Sequence, residues 1–403
     1  MDKHYQVVKT IQSHSHIAGF DLHEFRLTLE GTALVTAYVP RLHSSIWVLD
    51  CIFQEISLDD SLVLFEWSAL DHIDDLESRV PRGTYPLVGN GLHNDNGWDY
   101  FHINSVDKSN AGDYLISSRH TDCIFKISKI DGSIIWRLNG DHSSFALEGF
   151  TFKRQHHARF QEESKDRTVI SLFNNDNDGY SAKGLASTGM IIEIHHLSKV
   201  ARKIAEFQAP VIGGMATPGS GSLSFIPDGN ILVCWGIDSA IAEFLPDGTP
   251  TWYAHIQGGA WNYRAYKGSW VGEPLHRPAL WTYCISSIYP TNFYVSWNGA
   301  TNVRLWQFYV SDFEDGPYQL IGSQAKIDFE TVYSYSAYHP WTFVEAIGMD
   351  SSSLGNSSVT KTLVVGTNAT SDCGLPHCSG NDEVISLGGH IWDKSVVEES
   401  ILE

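Results

Sequence analysis

One strand pattern occurs twice in this chain, and it leaves few folds open. Val106 and Asp107 lead through Gly112 to a run ending at Ile116. Ile124 to Ile127 follows, then the turn Asp131-Gly132 and the apolar run Ile134-Ile135-Trp136. Later, Ser222 to Ile226 turns at Pro227-Asp228-Gly229 and resumes from Ile231 to Val233. Ala240 to Phe244 comes next, then the turn Asp247-Gly248 leading toward Trp252. Both stretches read strand, glycine turn, strand, strand, Asp-Gly turn, strand ending at Trp. A third, looser copy starts at Tyr283-Cys284-Ile285, turns at Pro290-Thr291-Asn292, and runs through Phe293 to Trp297 and Val303 to Phe308. A repeated four-stranded unit cannot bury its faces alone and marks a propeller blade. The chain has 403 residues. At about 45 to 65 residues per blade it predicts an all-β, six-bladed β-propeller with long inserted loops.

The first strands follow the same alternation, at residues 23–29, 32–39, 46–53 and 62–67. Residues 81–96 are rich in Pro, Gly and Asn and should be irregular. Insertions are expected at 164–188, 208–220 and 256–280. A single domain should cover 1–403, with blades over about 20–350 and a loop-rich C-terminal segment over about 350–403.

A net charge of −20 argues against a nucleic-acid footprint and against binding an anionic membrane by charge. No apolar run is long enough for a transmembrane helix, so no membrane span is expected. The start, Met1-Asp2-Lys3-His4-Tyr5, lacks the apolar core of a signal peptide. Of the six cysteines only Cys373 and Cys378 lie close together, which suggests a local disulfide over a zinc clip, since zinc wants a second close pair. The triplets Asn356-Ser357-Ser358 and Asn368-Ala369-Thr370 are glycosylation acceptor patterns. With the cysteine pair they favour a secretory or extracellular route. Oligomeric state is not readable from the sequence.

Histidine and arginine crowd between Phe101 and Phe160. Imidazole and guanidinium bind and activate oxyanions near neutral pH. His102 and Asn104 sit two apart on a predicted strand and so share a face. Arg119 closes the next strand, and His156 sits in a short polar break. One pocket should collect all four. His120 and His157 flank them. The insertion at 256–280 brings Trp261, Tyr263, Arg264 and Trp270, placed in a loop as ligand walls would be, or as a cover over one end of the propeller. Three His could hold zinc, but no supporting carboxylate set is apparent, so neither metal nor cofactor is expected.

Several stretches, in order, resemble the arylsulfotransferase-like β-propeller family, in particular its fungal branch. They are Asp21-Leu22-His23-Glu24-Phe25, His102 to Val106, Leu115 to His120, Ile135 to Leu138, Phe152 through Gln155-His156 to Arg159, and Ser296 to Thr301. The resemblance runs from about residue 20 to 310 and implies a site at the central channel. It also implies that the chain has lost, or never had, the family's leader and first strands. In the family's bacterial sulfotransferases, sulfuryl passes between phenols through a histidine, which His156 matches. His102, Asn104 and Arg119 match the groups that hold the sulfuryl oxygens, and His23 matches a further histidine. Where the family shows Gln-His-Asp and Ser-Leu-Phe-Asp-Asn, this chain has His157 and Asn174 in place of the carboxylates.

That difference turns the first expectation toward the family's cofactor-free hetero-Diels–Alderases. They join a tropolone- or phenol-derived quinone methide to a terpene, and so take small aromatic and terpenoid substrates. Such a reaction needs pairing and polarising donors but no nucleophile. His156, His102 and Arg119 would be the catalytic groups. His23, Asn104, His120, His157, Trp261, Tyr263, Arg264 and Trp270 would line the substrate. The alternatives are aryl sulfotransfer through a sulfo-His156 and a non-catalytic propeller that binds a ligand or protein.

Overall fold

The computed structural model describes residues 1–13, 17–177 and 185–365. They form two compact units, 9–269, and 1–8 with the residues from 270 onward. Apart from short 3-10 turns, the regular structure is β-sheet.

The unit 9–269 holds four sheets. The first is an antiparallel meander of Phe25–Leu27, Thr32–His43, Ile46–Ser57 and Val63–Ser68. The second runs Ile103–Lys108, Tyr114–Ser118, Cys123–Ile127 and Ile134–Asn139, and the fourth Ser222–Phe225, Ile231–Trp235, Ala240–Phe244 and Pro250–His255. These last two are the pair recognised as a repeat. In both, the Asp-Gly turn has its glycine at positive φ, 74° at Gly132 and 88° at Gly248. The preceding Asp accepts from the second amide on, Ser133 at 3.1 Å and Thr249 at 2.9 Å.

The third sheet is ordered His156–Glu163, Arg167–Asn174, Thr188–His195, Val200–Gln208, with Ala146–Glu148 added in parallel to the outer edge. The expected insertion at 164–188 therefore contains a strand, Arg167–Asn174. That strand is buried along nearly all its length, so it lacks the apolar–polar alternation that marks a half-exposed strand. The stretches 209–221 and 256–278 are irregular, as expected.

Strand alternation sends neighbouring side chains into different layers. Tyr114 and Ile116 enter a core with Phe53, Trp67 and Phe125, while Leu115 and Ile124 enter another with Ile170 and Leu172. Val169 and Phe173 enter a third with Val233 and Trp235. Successive sheets thus pack face to face over shared cores, the arrangement of propeller blades.

The second unit holds two interleaved sheets. Ala279–Cys284 pairs with Thr291–Ser296, which pairs with Glu330–Tyr335, and Leu363–Val364 adds in parallel. Val303–Ser311 pairs instead with Gln319–Ala325 and Trp341–Gly348. The third copy read from sequence therefore spans two sheets, because the chain leaves the first after two strands and returns later. No described helix is long and apolar enough to cross a membrane.

Cys51, Cys123, Cys234 and Cys284 are buried free thiols. Cys373, Cys378, Asn368 and the C-terminal segment beyond 365 lie outside the described residues.

Candidate active site

The unit 9–269 brings His23, His102, His120, His156 and Arg119 into one connected group. The rings of His102 and His120 lie 4.6 Å apart, those of His23 and His102 4.8 Å. Tyr263 joins His156 to this group, with ring centroids 5.5 Å from His23 and 6.3 Å from His156. Arg119 closes the group with Nη1 3.0 Å from His120 Nε2.

Backbone geometry aims these side chains. His102 stands just ahead of the strand Ile103–Lys108, at φ 56°, and a bulge follows between Ile103 and Ser105. The two-residue spacing on a strand therefore does not relate His102 to Asn104; the turn does the aiming. Asp122, Arg154 and His157 are also left-handed, at φ 52°, 54° and 55°. Such conformations are costly for non-glycine residues and persist only where other contacts hold them. Here the Arg119 amide donates to the His102 carbonyl at 2.9 Å and the Arg154 amide to Asp122 Oδ1 at 2.8 Å. His156 does not sit in a polar break, as the sequence suggested. It opens the strand His156–Glu163.

Hydrogen bonds fix each ring's tautomer. His156 Nδ1 faces two acceptors, Arg154 O at 3.1 Å and Asn175 Oδ1 at 2.7 Å. Nδ1 must then carry the proton and Nε2 the lone pair. His102 Nδ1 meets Asp99 Oδ2, and His23 Nδ1 meets Asp21 Oδ1. These two carboxylates, unnoticed in the sequence, commit both rings to Nδ1–H and leave Nε2 free. His120 Nδ1 donates to the Asp99 carbonyl at 2.5 Å, so its Nε2 accepts from Arg119.

Burial holds the His156 imidazole well below the usual histidine range, and the Arg119 charge pushes the same way. Burial does the same for His102, with His23 and Arg119 adding to it, and for His120 against the opposing pull of Asp99. The rings are therefore neutral at pH 7. Burial also raises the Asp99 carboxyl.

Asp99, His102 and His120 offer ligand atoms within 4.8 Å of one another. The free lone pair of His120 is taken by the Arg119 guanidinium, a fixed positive charge where a cation would have to sit. The donor set does not suit a metal.

Other expected residues have different places. Asn104 is fully buried; its Nδ2 donates to Gln155 O at 2.7 Å and its Oδ1 has no partner among the described residues. Gln155 Nε2 is fixed by Ser117 Oγ, Ser118 O and Cys123 O at 3.1, 2.9 and 3.2 Å. Asn104 and Gln155 thus tie the residue before His156 to the second sheet. Arg264 is committed to Glu24 and to the carbonyls of His23 and Asn104, each at 2.7 Å, so those donors are not available to a substrate. His157 turns away from His156, with Nδ1 3.0 Å from Leu223 O and Nε2 3.3 Å from Tyr266 Oη. Trp261 is exposed and shares no hydrogen bond or ring contact with the cluster among the described residues. Trp270 belongs to the other unit, where its indole donates to Tyr5 Oη at 3.2 Å.

Sequence reading missed Asp21, Asp99, Asn175 and Tyr38. The Tyr38 ring lies 5.5 Å from His23 and 5.8 Å from His102, and its hydroxyl donates to Ile103 O at 2.6 Å. Asp21 and Asp99 were visible as carboxylates two and three residues before a histidine. Tyr38 left no comparable signal.

No curated protein sequence matches this chain. Among solved structures, it is similar to a protein of unknown function from Bacteroides caccae, at 11% identity over 79% of this chain and 84% of that one, TM-score 0.30. A catalytically inactive virginiamycin B lyase from Staphylococcus aureus, solved with quinupristin, matches at 11% identity over 60% and 72%, TM-score 0.31. A protein of unknown function from Bacteroides thetaiotaomicron matches at 12% identity over 83% and 68%, TM-score 0.31. Scores this low carry no argument about chemistry. The family model of arylsulfotransferase (ASST), by contrast, matches residues 1–257, a span that includes the histidines, Arg119 and Asn175. The chain belongs to the arylsulfotransferase family.

Proposed function

We propose that the site transfers a sulfuryl group between phenolic oxygens through His156. The observation that carries this reading is a neutral, buried imidazole whose Nδ1 is committed to two acceptors. Its Nε2 lone pair can attack without first losing a proton. Nε2 attacks the sulfur of an aryl sulfate, the bond from sulfur to the phenolic oxygen breaks, and the N–S bond of a sulfo-histidine forms. The phenolic oxygen leaves as the phenolate. An acceptor phenol then gives its proton to the free Nε2 lone pair of His23 while its oxygen attacks sulfur and frees His156, and His23 passes that proton to the departed phenolate. Asp21, paired with His23 Nδ1, stabilises the ring in its protonated turn. Arg119 holds the non-bridging oxygens, where a donor matters most because the charge sits in a buried site; His102, neutral with its proton turned to Asp99, offers them none.

The sequence placed a cofactor-free cycloaddition first because carboxylates were missing at 157 and 174. Neither side chain hydrogen-bonds the His156 ring, whose Nδ1 meets Arg154 O and Asn175 Oδ1. His157 faces Leu223 and Tyr266, and Asn174 Oδ1 accepts from the Lys153 amide at 2.9 Å. With that ground removed, and with family membership as support, sulfuryl transfer is the better reading, and no terpenoid partner is proposed.

Incubation with an aryl sulfate such as 4-nitrophenyl sulfate should release 4-nitrophenol and add one sulfuryl mass to the peptide holding His156. His156→Ala should lose both. Turnover without any adduct, and undiminished in His156→Ala, would sink the proposal.

A further inference from the structure

Asn175 is fully buried, and its amide can point only one way. Nδ2 donates to two carbonyls, Thr217 O at 3.1 Å and Ser220 O at 3.0 Å. An amide flip would set Oδ1 against both oxygens, so Oδ1 must face His156 Nδ1. The turn that supplies those carbonyls is itself pinned. The Thr217 amide donates to Ser187 Oγ at 2.8 Å, Ser187 Oγ donates to Asn175 O at 2.6 Å, and the Thr217 hydroxyl bonds Asp238. Between the two carbonyls lies Pro218, whose oxygen accepts from Arg119 Nη2 at 3.0 Å. One turn, Thr217 to Ser220, therefore holds the partner of His156 and the guanidinium beside it.

We propose that Asn175 is a positioning residue that fixes the proton of His156 on Nδ1, and that the Thr217–Ser220 turn keeps this imidazole and Arg119 in one frame. The role in turnover rests on His156 being the nucleophile; the tautomer itself does not. The chemistry is that of an orienting Asn or Asp behind a histidine, where the wrong tautomer leaves no lone pair at the reacting position. Arg154 O is a second acceptor but lies farther, at 3.1 Å against 2.7 Å for Asn175. Charged and titratable groups that act on the ring are Arg119, His102 and His23, none of which accepts from Nδ1.

The test is the ring-nitrogen spectrum of histidine-15N-labelled protein, with His156 assigned by its loss in His156→Ala. Wild type should show a protonated Nδ1 and a bare Nε2. Asn175→Ala should show a mixture of tautomers, and its kcat with an aryl sulfate should fall by about 5- to 150-fold, the range for one buried hydrogen bond. Asn175→Asp keeps an acceptor aimed at Nδ1, while its second oxygen loses the hydrogen bonds to Thr217 O and Ser220 O, so a loss of stability should accompany it. It should retain the wild-type tautomer and, by adding negative charge, move the acid limb of the ring titration to higher pH. It decides the matter if the Ala variant fails to fold. An Nε2–H ring in wild type, an unchanged single tautomer in Asn175→Ala, or an unmoved titration in Asn175→Asp would overturn the proposal. If the spectra behave as expected but wild type neither turns over an aryl sulfate nor forms an adduct, the positioning role stands and the sulfuryl reading falls.

Discussion

Glu24 and Arg264 form a buried ion pair, Nη1 to Oε1 at 2.7 Å, in which both side chains are under a tenth exposed. The other Glu24 oxygen takes Arg159 Nη2 at 2.7 Å and the Val106 amide at 3.1 Å. Arg264 Nη2 reaches the carbonyls of His23 and Asn104. An arginine from the 256–278 stretch thus fastens the backbone of the His23 turn and of the strand Ile103–Lys108. Its planar fork is what allows three acceptors to be met at once.

Arg264→Ala should therefore act on stability first. It leaves two buried carbonyls without a donor and Glu24 with a single cation. Breaking a buried pair from one side typically costs about 3 to 5 kcal/mol, and the retained Arg159 bridge places the expectation near about 3. Arg264→Lys should recover little, since an ammonium cannot span the same acceptors. Urea unfolding of the variants checks this, and a loss under about 1 kcal/mol would mean the fork is not holding the strands.

Acid should destabilise the protein in a window set by its imidazoles. Burial holds His102, His120, His156 and His157 well below the ordinary value. Their contribution is fully present above the unfolded pKa of about 6.5. As pH falls below that value the unfolded chain takes up protons that the folded state refuses, so stability drops. The limit is about 1.4 kcal/mol per pH unit for each ring. His196, lowered mainly by burial, adds to these four rings. Asp50, Asp99 and Asp176, raised mainly by burial, work in the opposite sense, three groups against five. The urea midpoint should fall between pH 6.5 and 5; a flat profile there would contradict the buried neutral rings.

The sheets were legible because blades repeat and Asp-Gly turns punctuate them, so the second and fourth sheets were readable strand by strand. Arg167–Asn174 was missed because a strand buried on both faces lacks alternation. The third copy misled because adjacent strands in sequence need not share a sheet. In the site, His102, His120, His156, Arg119, His23 and Tyr263 do come together. What stayed hidden was the partner behind each ring. Asp21 and Asp99 depend on turn geometry near their histidines, and Asn175 reaches His156 only because the strand it follows, Arg167–Asn174, pairs beside the strand His156 opens. Arg264 was read as a ligand group because a buried arginine looks the same in sequence whether it meets a substrate or a carbonyl.

The two departures from the family's sequence pattern give the last prediction. His157→Asp and Asn174→Asp each restore the family's residue, and if those carboxylates orient His156 both should raise turnover. The geometry says otherwise. His157 Nδ1 sits 3.0 Å from Leu223 O, so it donates there. An aspartate offers no donor and would set a carboxylate against a carbonyl, at a cost of about 1 to 3 kcal/mol of stability, relieved in part by the Arg159 and Arg264 charges that act on this position. Asn174 Oδ1 already accepts from the Lys153 amide, and an aspartate oxygen can do the same. Neither change places a carboxylate on His156 Nδ1, where Asn175 stands. With an aryl sulfate, kcat for Asn174→Asp should stay within about tenfold of wild type, a difference of about 1.4 kcal/mol at most, and its acid limb should not move. His157→Asp should lower the thermal midpoint without a gain in kcat. A rise of more than tenfold in either variant would mean that a carboxylate does reach the nucleophile, and that the backbone around His157 adopts a second arrangement during turnover.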